Sequence, residues 1–382
     1  MTSSSPRRAL AASLVLGVSG ALLSAVGPSA VAADPQSSSA STVAAKPHHG
    51  GKGHHKHKGK VTWDVTSVTA GTGAVVAAHG KVPGRKVKVK LQVKAGKKWI
   101  SFGKTKSDKK GKFAISGALD WYGVHKVRVS TSGRKAFHKG TKVSVATPYA
   151  PRGNPADHAF TLSSQGQRYS FNPCKTIRYV VNADDVGPTG IALAQAGMEQ
   201  MSMATGIDVK YVGTSHTIAT ADGRWPKLPK GQDFLISWAT EAEVPEFVTT
   251  PAIGFGGPRL VYYGRDAHGK HVGLTTQAGI VLDTDAYFSG VYDQSYLGTK
   301  PAWGETILHE IGHAMGLAHF EATDEIMYPG AGRGVYPDGY FRGLYGAGDL
   351  AGLATNGLDQ GCITKASRPR VSARMATPRM QY

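Results

Sequence analysis

The side chains best suited to chemistry lie in one short run, His309-Glu310-Ile311-Gly312-His313-Ala314-Met315-Gly316-Leu317-Ala318-His319. On a helix His309 and His313 fall on one face, one turn apart, so both imidazoles can reach a single ion, and Glu310 sits beside that ion without ligating it. His319 cannot join them on the same helix, since six residues past His313 it would lie about 240° round and about 9 Å along the axis. The helix must therefore stop, and Gly316 supplies the means, because glycine accepts the left-handed backbone that closes a helix and redirects the chain. Three nitrogen ligands leave a fourth position open, which distinguishes a catalytic zinc site from a structural one. Glu310 is then the candidate general base for a zinc-activated water.

These residues resemble the zinc-binding signature of the metzincin peptidases. Ile326-Met327-Tyr328-Pro329, with Met327 eight residues past His319, resembles their Met-turn. Met-Tyr-Pro at this distance is similar to the matrixin branch in particular. The resemblance covers about 171–363 and implies an α+β catalytic domain, a Zn2+ cofactor, Met327 as an apolar floor under the imidazoles, and structural places near the site for Gly316 and Tyr328. Ala278–Asp283 looks like the strand before the active-site helix, and Gly348–Leu353 like the start of the C-terminal helix. Two departures stand out: Phe320 follows the third histidine where matrixins carry a small hydroxyl residue, and no upstream cysteine offers a thiol latch.

What the resemblance implies is a secreted zinc-dependent endopeptidase acting on protein or peptide substrates. Two other readings stay open, a zinc amidase acting on cell-wall peptides and a non-catalytic cell-surface binding protein. A calcium requirement is also left open, as is an accessory ion site at Asp266, His268 and His271, which the sequence equally explains as loop polarity. Arg259 to Tyr263 is a candidate strand edge for an extended peptide. The stretch 330–346, with Tyr336, Tyr340, Phe341 and Tyr345, is a candidate pocket wall or simple packing.

The elements that must position these groups are legible as periodicity. Ile177 to Asn182 reads as a strand, Thr189 to Thr205 as a helix stopped by Gly206, and Ile207 to Val212 as a strand; further strands fall at Phe234 to Trp238 and Gly279 to Asp283, before a helix from about Trp303. Upstream, over 61–147, seven short alternating runs recur about every ten residues, and Lys86-Val87-Lys88-Val89-Lys90-Leu91-Gln92-Val93 sets valines and lysines on opposite faces. This stretch is similar to bacterial immunoglobulin-like β-sandwich modules. The expected fold is therefore multidomain: an N-terminal all-β sandwich and a C-terminal α+β zincin-like domain, with 148–170 as linker and 364–382 as a basic tail.

Residues 1–33 read as an export signal, with Arg7 and Arg8, an apolar run from Ala9 to Val26 and small residues at Ala30 to Ala33; ordinary and twin-arginine export both remain open. Residues 34–60 form a His/Lys-rich low-complexity linker, a solvated spacer or a loose metal trap. No other run is long and apolar enough for a membrane span. Cys174 and Cys362 are the only cysteines, and in an exported chain they are expected to form one disulfide. The net charge of +19 is confined to the first half: 46–150 hold 24 bases against 3 acids, 151–382 hold 19 against 22. Such a basic module suits an acidic cell-wall or surface polymer such as a teichoic acid, anionic lipids or nucleic acid, or serves only to keep a monomeric extracellular protein soluble.

Overall fold

The computed structural model describes residues 60–71, 74–131, 139–286, 303–330 and 343–371. The signal segment, nearly all of the His/Lys-rich tract, and Tyr336, Tyr340 and Phe341 lie outside these residues. The chain divides into Met1–His55 and Lys56–Tyr382, and the second unit is predominantly β, built from several sheets with four α-helices among the described residues.

Its first part has eight strands: β1 (Lys60–Val65), β2 (Ser67–Thr69), β3 (Val75–Lys81), β4 (Lys88–Ala95), β5 (Lys98–Lys106), β6 (Lys112–Ala118), β7 (Gly123–Thr131) and β8 (Lys139–Ala146). They form a three-stranded sheet, β1-β3-β6, and a five-stranded sheet, β2-β8-β7-β4-β5. Val61, Ala78, Phe113 and Ile115 from the first meet Val89, Leu91 and Val129 from the second in a shared core. The first of the seven alternating runs, expected over Val61 to Val68, is in fact two strands, broken at Thr66 and divided between the sheets.

The second part contains β9 (Ala159–Phe160), β10 (Tyr169–Phe171), β11 (Ile177–Asn182), α1 (Gly187–Thr205), β12 (Val209–Thr214), β13 (Phe234–Ala239), α2 (Glu246–Thr249), β14 (Gly254–Arg265), β15 (His271–Asp283), α3 (Trp303–Ala314), β16 (Leu317–Ala318), α4 (Ala347–Asn356) and β17 (Thr364–Val371). A seven-stranded sheet runs β12-β11-β13-β15-β14-β17, with β10 also on β15. Side chains alternate across it. Phe234, Ile236, Trp238, Ile280 and Leu282 pack under α1, α3 and α4, whereas Leu235, Val281 and Phe255 face Trp225, Leu228 and Phe247 on the other side. Covering on both faces explains why Phe-Leu-Ile-Ser-Trp-Ala reads as a continuous apolar run.

The two parts share core rather than a loose hinge. Leu358, just after α4, belongs to the sandwich cluster with Trp121, Tyr122 N donates to the Met203 carbonyl at 2.9 Å, and a Cβ on Gly96 would stand 2.6 Å from the Gly361 Cα. The segment 148–170 is likewise no free linker: Tyr149 Oη donates to the Tyr345 carbonyl at 3.0 Å, Ala347 N donates to the Arg152 carbonyl, and β9 pairs with β16. Nor is 364–382 wholly a tail, because β17 pairs with β14. The disulfide Cys174–Cys362 is present. Among the described residues no helix is long and apolar enough to cross a membrane.

Candidate metal centre

All twelve residues of α3 are buried, wedged between α1 and the sheet, so its histidines project into protein rather than solvent. His309 Nδ1 donates to the Ile326 carbonyl at 2.7 Å and His313 Nδ1 to the Leu317 carbonyl at 2.9 Å. Those bonds leave the proton on Nδ1 and a bare lone pair on each Nε2. The Nε2 atoms of His309, His313 and His319 form a triangle with every side 3.1 Å.

Two of these Nε2 atoms face each other as acceptors, an arrangement that repels unless a cation lies between them. A triangle of that side has its corners about 1.8 Å from the centre, slightly less than the Zn–N bond of about 2.0–2.1 Å. The donor set, spacing and tautomers therefore fit a zinc ion. Burial, together with the neighbouring imidazoles, pushes the His309 pKa down to about 3 and that of His313 well below its ordinary value. Burial lowers His319 to about 4. All three rings are neutral at pH 7, the state a metal requires.

Gly316 brings in the third ring. Its φ of +96° lies in the left-handed region, and a Cβ there would meet the Tyr169 carbonyl oxygen at 2.2 Å, so both backbone and space demand glycine. The chain then runs as β16, pinned by Leu317↔Phe160 and Ala318↔Ala159 and by Thr161 Oγ1 donating to the Leu317 carbonyl at 2.9 Å. His319 follows directly.

Met327 is 1% exposed, and its sulfur lies beneath Gly312. Tyr328 N donates to the Glu325 carbonyl at 3.2 Å, and Met327 is tied back by Phe320 N donating to its carbonyl at 3.0 Å. Glu310 is fully buried with both carboxylate oxygens unpartnered, and burial pushes its pKa well above the usual carboxylate range. Its carboxylate rests against β14, where Gly254 and Gly256 leave room that a side chain would fill. A buried carboxylate without a partner is costly, and such orphaned groups in native folds mark sites rather than packing.

A feature that sequence reading missed stands behind the site. Asp349 accepts from Ile326 N at 2.6 Å, Met327 N at 3.2 Å and Gly346 N at 2.9 Å. Glu325 accepts from Gly348 N at 3.0 Å and Asp349 N at 2.9 Å. Burial and the charge of Asp349 push the Glu325 pKa up to about 8. Three backbone donors favour the ionised form of Asp349, so the proton belongs on Glu325, which donates it to Asp349. The pair fixes the backbone at Ile326 and Met327 and, through the Ile326 carbonyl, the ring of His309.

Other expected features resolve differently. Arg259 to Tyr263 is not a free edge: Val261 and Tyr262 pair with Val371 and Arg370, while among the described residues the stretch 254–260 of β14 pairs only with β15. Tyr345 is fully buried and donates to the Leu308 carbonyl at 3.1 Å, so it packs under α3 and lines no pocket. Asp266 accepts from His268 N and Lys270 N, closing the β14–β15 turn; among the described residues the one cluster able to hold a metal ion is His309, His313 and His319.

No family model matches the chain, and no curated protein matches it. Two solved structures are weakly similar. One is described as "Biofilm associated protein - BSP domain", at 13% identity and TM-score 0.17, covering 33% of this chain and 18% of that one. The other, "Cwp6 from Clostridium difficile", has 8% identity and TM-score 0.18, covering 50% and 34%. The chain thus spans about a third or less of the length of either, and neither likeness bears on its fold or activity.

Proposed function

We propose that the chain is a secreted zinc-dependent endopeptidase of the metzincin type, nearest the matrixin branch. The observation that carries this reading is the 3.1 Å triangle of Nε2 atoms next in sequence to a buried, unpartnered carboxylate. His309, His313 and His319 would hold the ion, which when bound supplies an acidified water and polarises a peptide carbonyl. Glu310 would accept a proton on its carboxylate and return it to the leaving amide nitrogen. Burial raises its pKa in the metal-free fold, and a dication held by the three rings would bring it back towards the ionised form that accepting a proton requires. Gly254 and Gly256 of the buried stretch 254–258 lie against Glu310, so β14 sets where that carboxylate stands. Met327 and the Glu325–Asp349 pair keep the rings from shifting.

The test uses wild type and Glu310→Ala with zinc analysis and casein hydrolysis. Wild type is expected to bind one zinc and cleave casein; the variant keeps zinc and loses about 10²-fold or more in rate. A wild type that binds zinc but releases fragments only from purified cell wall indicates the amidase. A zinc-loaded wild type inert towards both substrates indicates the non-catalytic surface protein, and hydrolysis unchanged in the variant removes Glu310 from its role.

A further inference from the structure

The outer face of the five-stranded sheet carries charge of one sign only. In β4 the residues Val89, Leu91 and Val93 turn inward to the core, so Lys88, Lys90 and Lys94 turn outward. The register sets Lys88 opposite Lys106 and Lys90 opposite Lys104, and Lys126 opposite Lys142. No Asp or Glu occurs in any of the five strands.

Like charges directly opposite on one face destabilise a sheet, and three such rows accumulate here. Solubility alone does not call for this, because mixed charges or Thr and Ser pairs would serve it and add to stability. Strands lie about 4.8 Å apart and same-face residues about 6.7 Å apart, so the ammonium groups form a short-pitched grid on a flat surface. Within it, the Arg128 guanidinium stacks 4.0 Å from the Trp99 ring centroid, and its Nε donates to Gln92 Oε1 at 2.9 Å. That cation is fixed in position before any ligand arrives.

We propose that this face binds a linear phosphodiester polymer of the cell-wall teichoic type, its successive phosphates meeting successive rows of lysines. A single-stranded nucleic acid would need open aromatic faces for its bases, and the one aromatic ring on this face, Trp99, is covered by Arg128. A membrane would need an apolar fringe, whereas Val124 is the only large exposed hydrophobic residue on these strands. The face lies on the sandwich, apart from the metal centre, so the proposal stands whether or not the chain hydrolyses peptides.

The experiment measures binding of the full chain to purified poly(glycerol phosphate) between 50 and 200 mM salt. The comparison is with the quadruple variant Lys88→Gln, Lys90→Gln, Lys104→Gln, Lys106→Gln, and with Lys227→Gln/Lys230→Gln, two exposed lysines elsewhere. Wild type is expected to lose affinity steeply with salt, and the quadruple variant to bind at least about tenfold more weakly with a salt slope shallower by about 3. Because like-charge rows are removed, that variant melts no lower than wild type, and the control pair binds as wild type does. Should the quadruple variant fail to fold, Lys126→Gln/Lys142→Gln gives the same reading in smaller measure. The proposal is overturned by an absence of binding at 50 mM salt, by equal binding in all variants, or by tighter binding to single-stranded DNA or anionic vesicles than to poly(glycerol phosphate).

Discussion

The sulfur of Met327 packs against Gly312, the residue directly before His313: a Cβ added at 312 would stand 2.3 Å from Met327 Sδ. The glycine at 312 therefore lets the turn at 326–328 approach the helix that carries His309 and His313. Gly312→Ala should force turn and helix apart, costing about 1–3 kcal/mol in stability, the usual range for overpacking. Zinc competition with a chelator should show weaker retention, and unchanged retention would mean that this contact does not hold the rings.

Gly254→Ala tests the proposed role of Glu310 separately from that of the histidines. A Cβ there would meet only the side chain of Glu310, Cγ and Oε1 at 2.9 Å and Cδ at 3.1 Å, so the carboxylate must move while the imidazoles, held from 326 and 317, need not. Peptide hydrolysis should fall by about 10²-fold, as expected for a displaced proton-transfer group, with zinc content unaltered. Loss of zinc in step with activity would contradict this division.

The Glu325–Asp349 pair gives a pH signature. The Glu325 pKa is raised to about 8 in the fold, so between its ordinary value and 8 the folded chain holds a proton that the unfolded chain has released. Its contribution is complete at acid pH and is lost as pH rises through about 8. The imidazoles act in the opposite sense: with His309 near 3 and His319 near 4, the unfolded chain protonates first, and metal-free stability falls below about pH 6.5. Melting of the metal-free protein from pH 4 to 9 should therefore decline on both sides, with Glu325→Gln flattening the alkaline limb alone. An alkaline decline that survives this substitution would place its origin elsewhere.

The shared core predicts one unfolding transition for Lys56–Tyr382. Trp121 is 3% exposed and packs with Leu358 from beyond α4, and deleting a buried aromatic of this kind costs about 3–5 kcal/mol. Trp121→Ala should lower the melting point of sandwich and metal region together. Calorimetry resolving two independent peaks, only one of them shifted, would show that the parts unfold separately.

Much of the centre was readable because its determinants are local. The four-residue spacing of His309 and His313, the adjacent Glu310 and the stop at Gly316 each act within a turn or two of helix, and the strands of the sandwich declare themselves by alternation. The two cysteines paired as expected because they had no other partners. What escaped is non-local. The stretch 254–258 is a strand despite three glycines and a proline, held by a long antiparallel partner that outweighs its weak propensity. β9 and β16 are two residues each and exist only because the chain ends of 148–170 and α3 meet. Glu325 and Asp349 look like surface carboxylates in sequence, and only the fold reveals that they are buried against one another.

The path of Tyr149 to Thr161 changes what kind of object the sandwich is. Because this strand of chain leaves the sandwich and runs directly under the peptide that presents His319, the two halves are mechanically continuous. A maturation protease cutting within it would sever the support of His319, so any trimming that leaves the three imidazoles together must fall upstream of the strap. By the same token the module is no interchangeable cassette: moving the histidines to another scaffold means moving Tyr149, Arg152, Thr161 and the Trp121 pad with them.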